Sequence, residues 1–233
     1  TIVNEGVLAL GTGWQSAQSI PGGITGTTTG LSNLEINGGN VRLAYYLTRP
    51  LGDGPTDVQI TGGVSGFSHI QSDTQGRITL NNDASYEIVW GTDYFKPDVF
   101  VLNESDAKPN QVVQIQNKID LNGADRTVAT NSTRAVDGNQ VRDAQGWMTT
   151  TGGRLTNDIQ NSDLVNPAGL IKIGPGVLQL TGTNTYDGGT TINEGMLQFT
   201  QAAAMPGFDV VTVKDGATLG VNVGGSGWAD GPI

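Results

Sequence analysis

The 233 residues carry a formal charge of −10, from 22 acidic against 12 basic side chains, and contain no cysteine. The charge excludes the clustered Lys and Arg on which nucleic-acid binding depends, and the missing cysteine excludes disulfides, thiolate chemistry and Cys-based zinc sites. Thirty-five glycines and a charged fraction of only 15% suit short strands and tight turns, while apolar residues recurring throughout in alternating groups argue against disorder.

In chain order the first element is Asn4-Glu5-Gly6-Val7-Leu8-Ala9-Leu10, a glycine turn opening into a strand. Runs of alternating or β-branched residues predict further strands at 40–44, 58–61, 77–81, 86–90, 99–103, 112–115, 118–121, 126–130, 154–156 and 170–173. Segments 48–56, 96–98 and 132–147 break the rhythm and are expected to leave the framework as surface insertions, where repeat folds carry individual function. The best helix candidate, Ala202-Ala203-Ala204-Met205, is stopped by Pro206 and Gly207. No apolar run has the ~18–20 residues of a membrane span, and no charged-then-apolar segment at Thr1 reads as a signal peptide.

A repeat emerges toward the C-terminus. Gly176-Val177-Leu178-Gln179-Leu180-Thr181 matches Gly195-Met196-Leu197-Gln198-Phe199-Thr200 at an offset of 19, and Gly216-Ala217-Thr218-Leu219-Gly220-Val221 follows in looser form 21 residues later. Period-2 alternation sends Leu178 and Leu180, then Leu197 and Phe199, to one face, and Gln179 and Gln198 to the other. A period near 20 is short for a helical pair and suits one coil of a β-solenoid, each strand pairing with its equivalent in the next coil. Between the matched strands, a short strand centred on Ile192 lies between turns at Gly188-Gly189 and Gly195, which predicts two bends per coil. The N-terminal signature parallels Asn193-Glu194-Gly195-Met196-Leu197-Gln198-Phe199, so both ends are expected to carry the same kind of rung.

The stretch GPGVLQLTGTNTYDGGTTINEGMLQF, residues 174–199, resembles the autotransporter-associated β-strand repeat, or passenger-associated transport repeat, of large bacterial surface proteins. The residues that carry the resemblance are Gly176, Leu178, Leu180, Asn184, Tyr186, Gly188, Gly189, Ile192, Asn193, Gly195, Leu197 and Phe199. Residues 2–10 resemble the second half of the same repeat. The resemblance implies a right-handed parallel β-helix displayed outside the cell. It also implies a link with secretion and folding of a passenger, and brings no catalytic residue and no cofactor.

The expectation is therefore an all-β parallel β-solenoid over residues 1–233 with irregular loop insertions, clearest at 1–11 and 174–221. It would be a piece of a longer chain and serve as a surface stalk, passenger segment or fibre subunit. Exposed strand edges at its ends would invite end-to-end association with copies or with neighbouring segments. The segment Trp228-Ala229-Asp230-Gly231-Pro232-Ile233 lacks the strand pattern of a translocator barrel, and direct membrane insertion is not expected.

Chemistry has few places to reside. His69, beside Ser68, is the single histidine, so any Ser-His-Asp site must be built on it. Gly63-Val64-Ser65-Gly66-Phe67 has Phe67 where a nucleophile elbow needs its second glycine, and His69 reads as a surface or half-buried residue on a strand edge. β-Helices also host polysaccharide lyases and hydrolases, and here Lys118 and Asp120, followed after a turn by Asp125 and Arg126, could share a groove. Ordinary outward charges give the same pattern, and 120–125 lacks the acidic partner that completes a calcium loop. Tyr45, Tyr46, Trp90, Tyr94, Phe95 and Trp147 could form a sugar-stacking strip, with Tyr45, Trp90 and Trp147 as glycan or partner contacts; core packing explains the same residues. Gly224-Gly225-Ser226-Gly227 precedes no helix that would cradle phosphate. No metal and no cofactor is expected.

Overall fold

The computed structural model describes residues 1–10, 31–70, 75–107, 111–132, 152–207 and 210–222, and the structural statements below concern those residues. In chain order the strands are β1 (Ile2–Val3), β2 (Val7–Ala9), β3 (Leu34–Asn37), β4 (Asn40–Leu43), β5 (Tyr46–Arg49), β6 (Val58–Gly62) and β7 (Val64–His69). There follow β8 (Gln75–Leu80), β9 (Glu87–Val89), β10 (Val99–Leu102), β11 (Val112–Ile115), β12 (Lys118–Asp120), β13 (Arg126–Ala129) and β14 (Gly152–Leu155). The last are β15 (Ile159–Gln160), β16 (Leu170–Ile173), β17 (Val177–Leu180), β18 (Thr190–Ile192), β19 (Met196–Phe199), β20 (Val211–Val213) and β21 (Thr218–Val221). A single 3-10 turn, Ala202–Ala204, occupies the helix candidate.

Every strand-to-strand pairing is parallel, and no strand pairs with its neighbour in sequence. The order is β1-β3-β6 in a first sheet and β2-β4-β7-β10-β13-β16-β18-β20 in a second. It is β5-β8-β11-β14-β17-β19-β21 in a third and β9-β12-β15 in a fourth. The chain passes from sheet to sheet and returns one rung further on, which is the architecture of a parallel β-solenoid. At ~4.8 Å per strand the eight-stranded second sheet spans roughly 34 Å.

Identical registers build the core. In the third sheet Leu47, Ile78, Ile115, Leu155, Leu180 and Phe199 pair in succession, and each is at most 2% exposed. Ile88, Ile119 and Ile159 do the same in the fourth sheet, and Val3, Ile36 and Ile60, all buried, pair in succession in the first. Burying each large aliphatic contributes about 1.5–3 kcal/mol, so the column supplies the main driving force. Where the first sheet gives way to the fourth, Phe95 bridges to Ile60, and Trp90, Phe95, Phe100 and Phe67 fill the junction edge to face at 5.1–6.3 Å.

The strands predicted at 112–115 and 170–173 have the observed boundaries, and the other predicted strands lie within two residues of theirs. Strands β1, β3, β5, β7, β15 and β20 were not anticipated, and β5 takes the first two residues of the 48–56 insertion. Strand β7 was hidden by Gly66, which breaks its pattern. A Cβ there would stand 1.9 Å from the Val101 carbonyl oxygen, so only glycine lets the next strand approach. The middle coils have three strands each, not two bends, because the fourth sheet adds a side.

Two further expectations are corrected. Sequence matching aligned Gly195 with Gly216, but Leu197 pairs with Leu219, an offset of 22. Register follows the inward face: a one-residue slip would turn Thr218 inward and Leu219 out, so the corner absorbs an extra residue. The Asn-Glu-Gly turns at the two ends also serve different sides of the coil. Gly6 (φ +72°) turns the chain from the first sheet into the second, whereas Gly195 (φ +69°) turns it from the second into the third.

Candidate functional site

Residues 170–199 are the region where motif and structure coincide. Strand β16 alternates Leu170 and Lys172 inward with Ile171 and Ile173 half-exposed; β17 and β19 place Leu178, Leu180, Leu197 and Phe199 in the core at 0% exposure. The corner after β16 is turned by Gly174 (φ +78°), and Gly195 lies directly over it. A Cβ on Gly195 would fall 2.4 Å from the Gly174 carbonyl oxygen and 2.5 Å from that of Gly176. Two conditions, positive φ and close backbone contact, therefore demand glycine there. Gly188 is constrained by contact alone, 2.4 Å from the Ala168 carbonyl carbon, and Gly189 by a φ of +86°.

The Asn-Thr-Tyr element closes the third side. Asn184 is 3% exposed and ties three coils together: its Oδ1 accepts the Ile159 N–H at 3.0 Å, its amide donates to the Ala204 carbonyl, and its own N–H donates to the Ala203 carbonyl at 3.1 Å. Such a residue replaces ladder bonds where the backbone bends. Tyr186 is 1% exposed, and its hydroxyl meets the Thr190 hydroxyl at 2.7 Å beneath the second sheet. Asn193 lies exposed in the turn that precedes Gly195. On the outward face Arg154 Nε donates to Gln179 Oε1 at 2.7 Å and Gln179 Nε2 to Gln198 Oε1 at 3.0 Å, a stacked ladder along the third sheet.

Lys172 was missed by sequence reasoning, because outward lysines on strands are common. It pairs in register with Val128 and Ile192 and is fully buried. Its ammonium donates to the carbonyls of Ile173 (2.7 Å), Gly174 (2.6 Å) and Glu194 (3.1 Å), pinning the glycine corner from inside. Burial lowers its pKa from 10.5 to about 7, opposed by the Glu194 charge. Asn103 and Asn117 were also missed. Asn103, at φ +68°, donates to the Gln111 and Gly152 carbonyls, and Asn117 to those of Leu80, Asp83 and Tyr86.

The other candidate groups are absorbed into the framework. His69 is buried at 1%, not on a surface edge, because β7 lies between β4 and β10; its Nδ1 contacts the Leu43 carbonyl at 3.0 Å. Ser68 Oγ accepts the Glu104 N–H. Asp120 is 2% exposed instead of facing a groove: its Oδ1 accepts the N–H groups of Asn122 (2.9 Å) and Ser162 (3.0 Å), and Oδ2 accepts the Ser162 hydroxyl. Asp125 accepts the Gly169 N–H at 2.7 Å. Arg126 donates to the Leu121 and Trp90 carbonyls, and Lys118 stays half-buried on β12. Among the described residues no group of three His, Asp or Glu side chains is placed to hold a metal ion.

No aromatic strip is assembled among the described residues. Trp90 is 1% exposed and Phe95 1%, both in the core, with the Trp90 indole N–H donating to the Pro97 carbonyl at 2.9 Å and Arg126 over its ring at 5.8 Å. Trp90 is corrected from surface contact to core anchor, since the junction of the first and fourth sheets needs its volume. Tyr45 is half-buried, Tyr46 is 49% exposed, and Tyr94 is half-buried beside Asp53, whose charge raises its pKa. Trp147, most of the 132–147 insertion, Gly224 to Gly227 and the 228–233 end lie outside the described residues.

The comparisons agree with this geometry. Residues 170–199 match the family model described as a passenger-associated-transport-repeat. No curated protein and no solved structure matches the chain. The matched interval runs from the first residue of β16 to the last of β19, so the unit that the family model delimits is one coil, β16 and β17, with the two strands of the next, β18 and β19, stacked on it. This chain carries a passenger-associated-transport repeat, a structural repeat, built into a parallel β-solenoid.

Proposed function

We propose that this chain is a rigid spacer segment of a secreted or cell-surface protein, a solenoid rod that holds other parts of the molecule away from the cell and catalyses nothing. One observation carries the reading: the inward column of the third sheet runs unbroken through six rungs, from Leu47 to Phe199. A column of this kind resists bending and lengthens by adding rungs. The polar groups that chemistry would need, Asp120, Asp125, Arg126 and Ser68, support the same reading because each holds a backbone group at a corner. The family match supports passenger context and surface display.

Small-angle scattering tests the reading. A rod is expected, with a constant cross-section and with a maximum dimension that grows by about 4.8 Å when one repeat coil is duplicated. A globular profile would overturn it. Release of product from a panel of acidic and neutral polysaccharides would overturn the absence of catalysis.

A further inference from the structure

The stacked glycine corner that joins the second sheet to the third leaves a groove on the flank of the solenoid, across three successive coils. Val177, Met196 and Thr218, the first residues of β17, β19 and β21 and paired in register, line its strand side. Pro175, Glu194, Gly195 and Gly216 line its corner side. The groove is a consequence of the repeat. Gly195 lies so close to the carbonyl oxygens of Gly174 and Gly176 that no side chain stands on the corner, and the space beside Glu194 and Met196 stays open. Its volume of about 290 Å³ lies at the lower edge of the roughly 300–1,000 Å³ typical of small-ligand sites, which suits one side chain or a short ligand and not a folded domain.

The lining sets the chemistry of the occupant. Val177 is buried, Met196 is half-buried and Pro175 is exposed, so an alkyl stem finds apolar contact along the groove. Of the lining side chains only Glu194 and Thr218 are polar, and only Glu194, which is exposed, is charged. No Lys or Arg lines the groove to pair with that carboxylate. Lys172 is buried on the inner side of the same corner, and its ammonium already donates to the carbonyls of Ile173, Gly174 and Glu194. The complement of such a lining is a run of methylenes ending in a cation that only donates hydrogen bonds.

We propose that this groove binds an alkyl ammonium or guanidinium group, such as ends a lysine or arginine side chain or a polyamine, with the cation on the Glu194 carboxylate and the stem against Met196 and Val177. The site adds a binding function to the spacer reading and does not rest on it, since a groove across three coils needs no long rod.

Amide chemical shifts of the full isotope-labelled 233-residue chain, titrated at physiological ionic strength with a blocked pentapeptide carrying one central lysine between valines, and separately with spermidine, test the proposal. Saturable shifts are expected at Gly195, Met196 and Thr218. Glu194→Gln, an exposed change that leaves the core intact, should weaken binding at least about tenfold through loss of a charge-assisted bond. Glu5→Gln removes the same charge from the exposed Asn-Glu-Gly turn on the other corner and should leave binding unchanged. A pentapeptide with norleucine in place of lysine should not bind. Whichever of peptide and spermidine binds more tightly identifies the source of the cation. The proposal is overturned if neither saturates by about 10 mM, where affinity is too weak to count as a site. Equal binding of the norleucine peptide also overturns it, as does equal weakening by Glu5→Gln, which would mean that net negative charge alone attracts the probe.

Discussion

Two regions of this molecule reach the same core by different means. From Leu170 to Val221 the second sheet returns every 20 or 21 residues (Leu170 to Thr190, Thr190 to Val211), corners are stacked glycines, and the sequence repeats. From β4 to β16 the returns vary from 26 residues (Asn40 to Gly66) to 44 (Arg126 to Leu170). Asn81, Asn82, Asn103 and Asn122 take many of the positive-φ positions there, and no motif recurs. The inward columns are nonetheless continuous across both. The comparison teaches that a solenoid demands constancy only of the inward residues and the strand register. The outer path is free to lengthen, because loop closure grows only logarithmically in cost with length. Asparagine suits the irregular corners because it tolerates positive φ and its side chain supplies bonds where the backbone ladder lapses; the tight glycine stack leaves no room for any side chain.

Four measurements would break or sharpen that contrast. Phe199→Ala should lower unfolding free energy by about 3–5 kcal/mol in a urea titration, as for a fully buried large residue. Val221→Ala, one rung above in the same column, should cost below about 1 kcal/mol, and equal costs would mean that the last rung is as well covered as the one below.

Gly195→Ala should cost roughly 2–4 kcal/mol, since a Cβ meets two carbonyl oxygens and φ is +69°. Gly6→Ala carries the same Asn-Glu-Gly signature and φ of +72° with nothing near its Cβ, and should cost only about 1–2 kcal/mol. A reversed order would show that the glycine stack is not what constrains the repeat.

Asn184→Leu strips the Ile159 N–H and the Ala204 carbonyl of partners and should cost about 1–3 kcal/mol. Hydrogen exchange at Ile159 should accelerate with it. Unchanged protection there would dissociate the Asn-Thr-Tyr element from coil-to-coil tethering.

The smallest effect at neutral pH belongs to Lys172→Met. The folded-state pKa of Lys172, near 7, lies below the unfolded 10.5, so between those values the unfolded chain binds more protons. Wild-type stability should therefore rise as pH increases from about 7 to about 10.5, and the rise should flatten in the Met variant. Parallel profiles would show that the amine titrates alike in both states.

The fold class was legible because one period is written twice in apolar letters. Leu178-Gln179-Leu180 and Leu197-Gln198-Phe199 stack at the predicted offset of 19. Strand β7 was illegible because Gly66 and His69 owe their places to neighbours in other coils, Val101 and Leu43, that lie far off in sequence. The candidate site was half legible. Asn184, Tyr186 and Gly195 stood out as motif letters, whereas Lys172 looked like any outward lysine until its register with Val128 and Ile192 placed it inside.

By itself the sequence determined a chain of short strands turned by glycine, with a coil of about 20 residues and inward Leu, Ile and Phe, because alternation and period are local properties. Only the tertiary structure decided which side of the coil each turn serves, that Leu219 and not Thr218 lies over Leu197, and that Trp90, His69, Asp120 and Lys172 are interior. Those facts depend on pairing between residues 20 to 44 positions apart, where burial of one rung by the next outweighs anything a strand prefers alone.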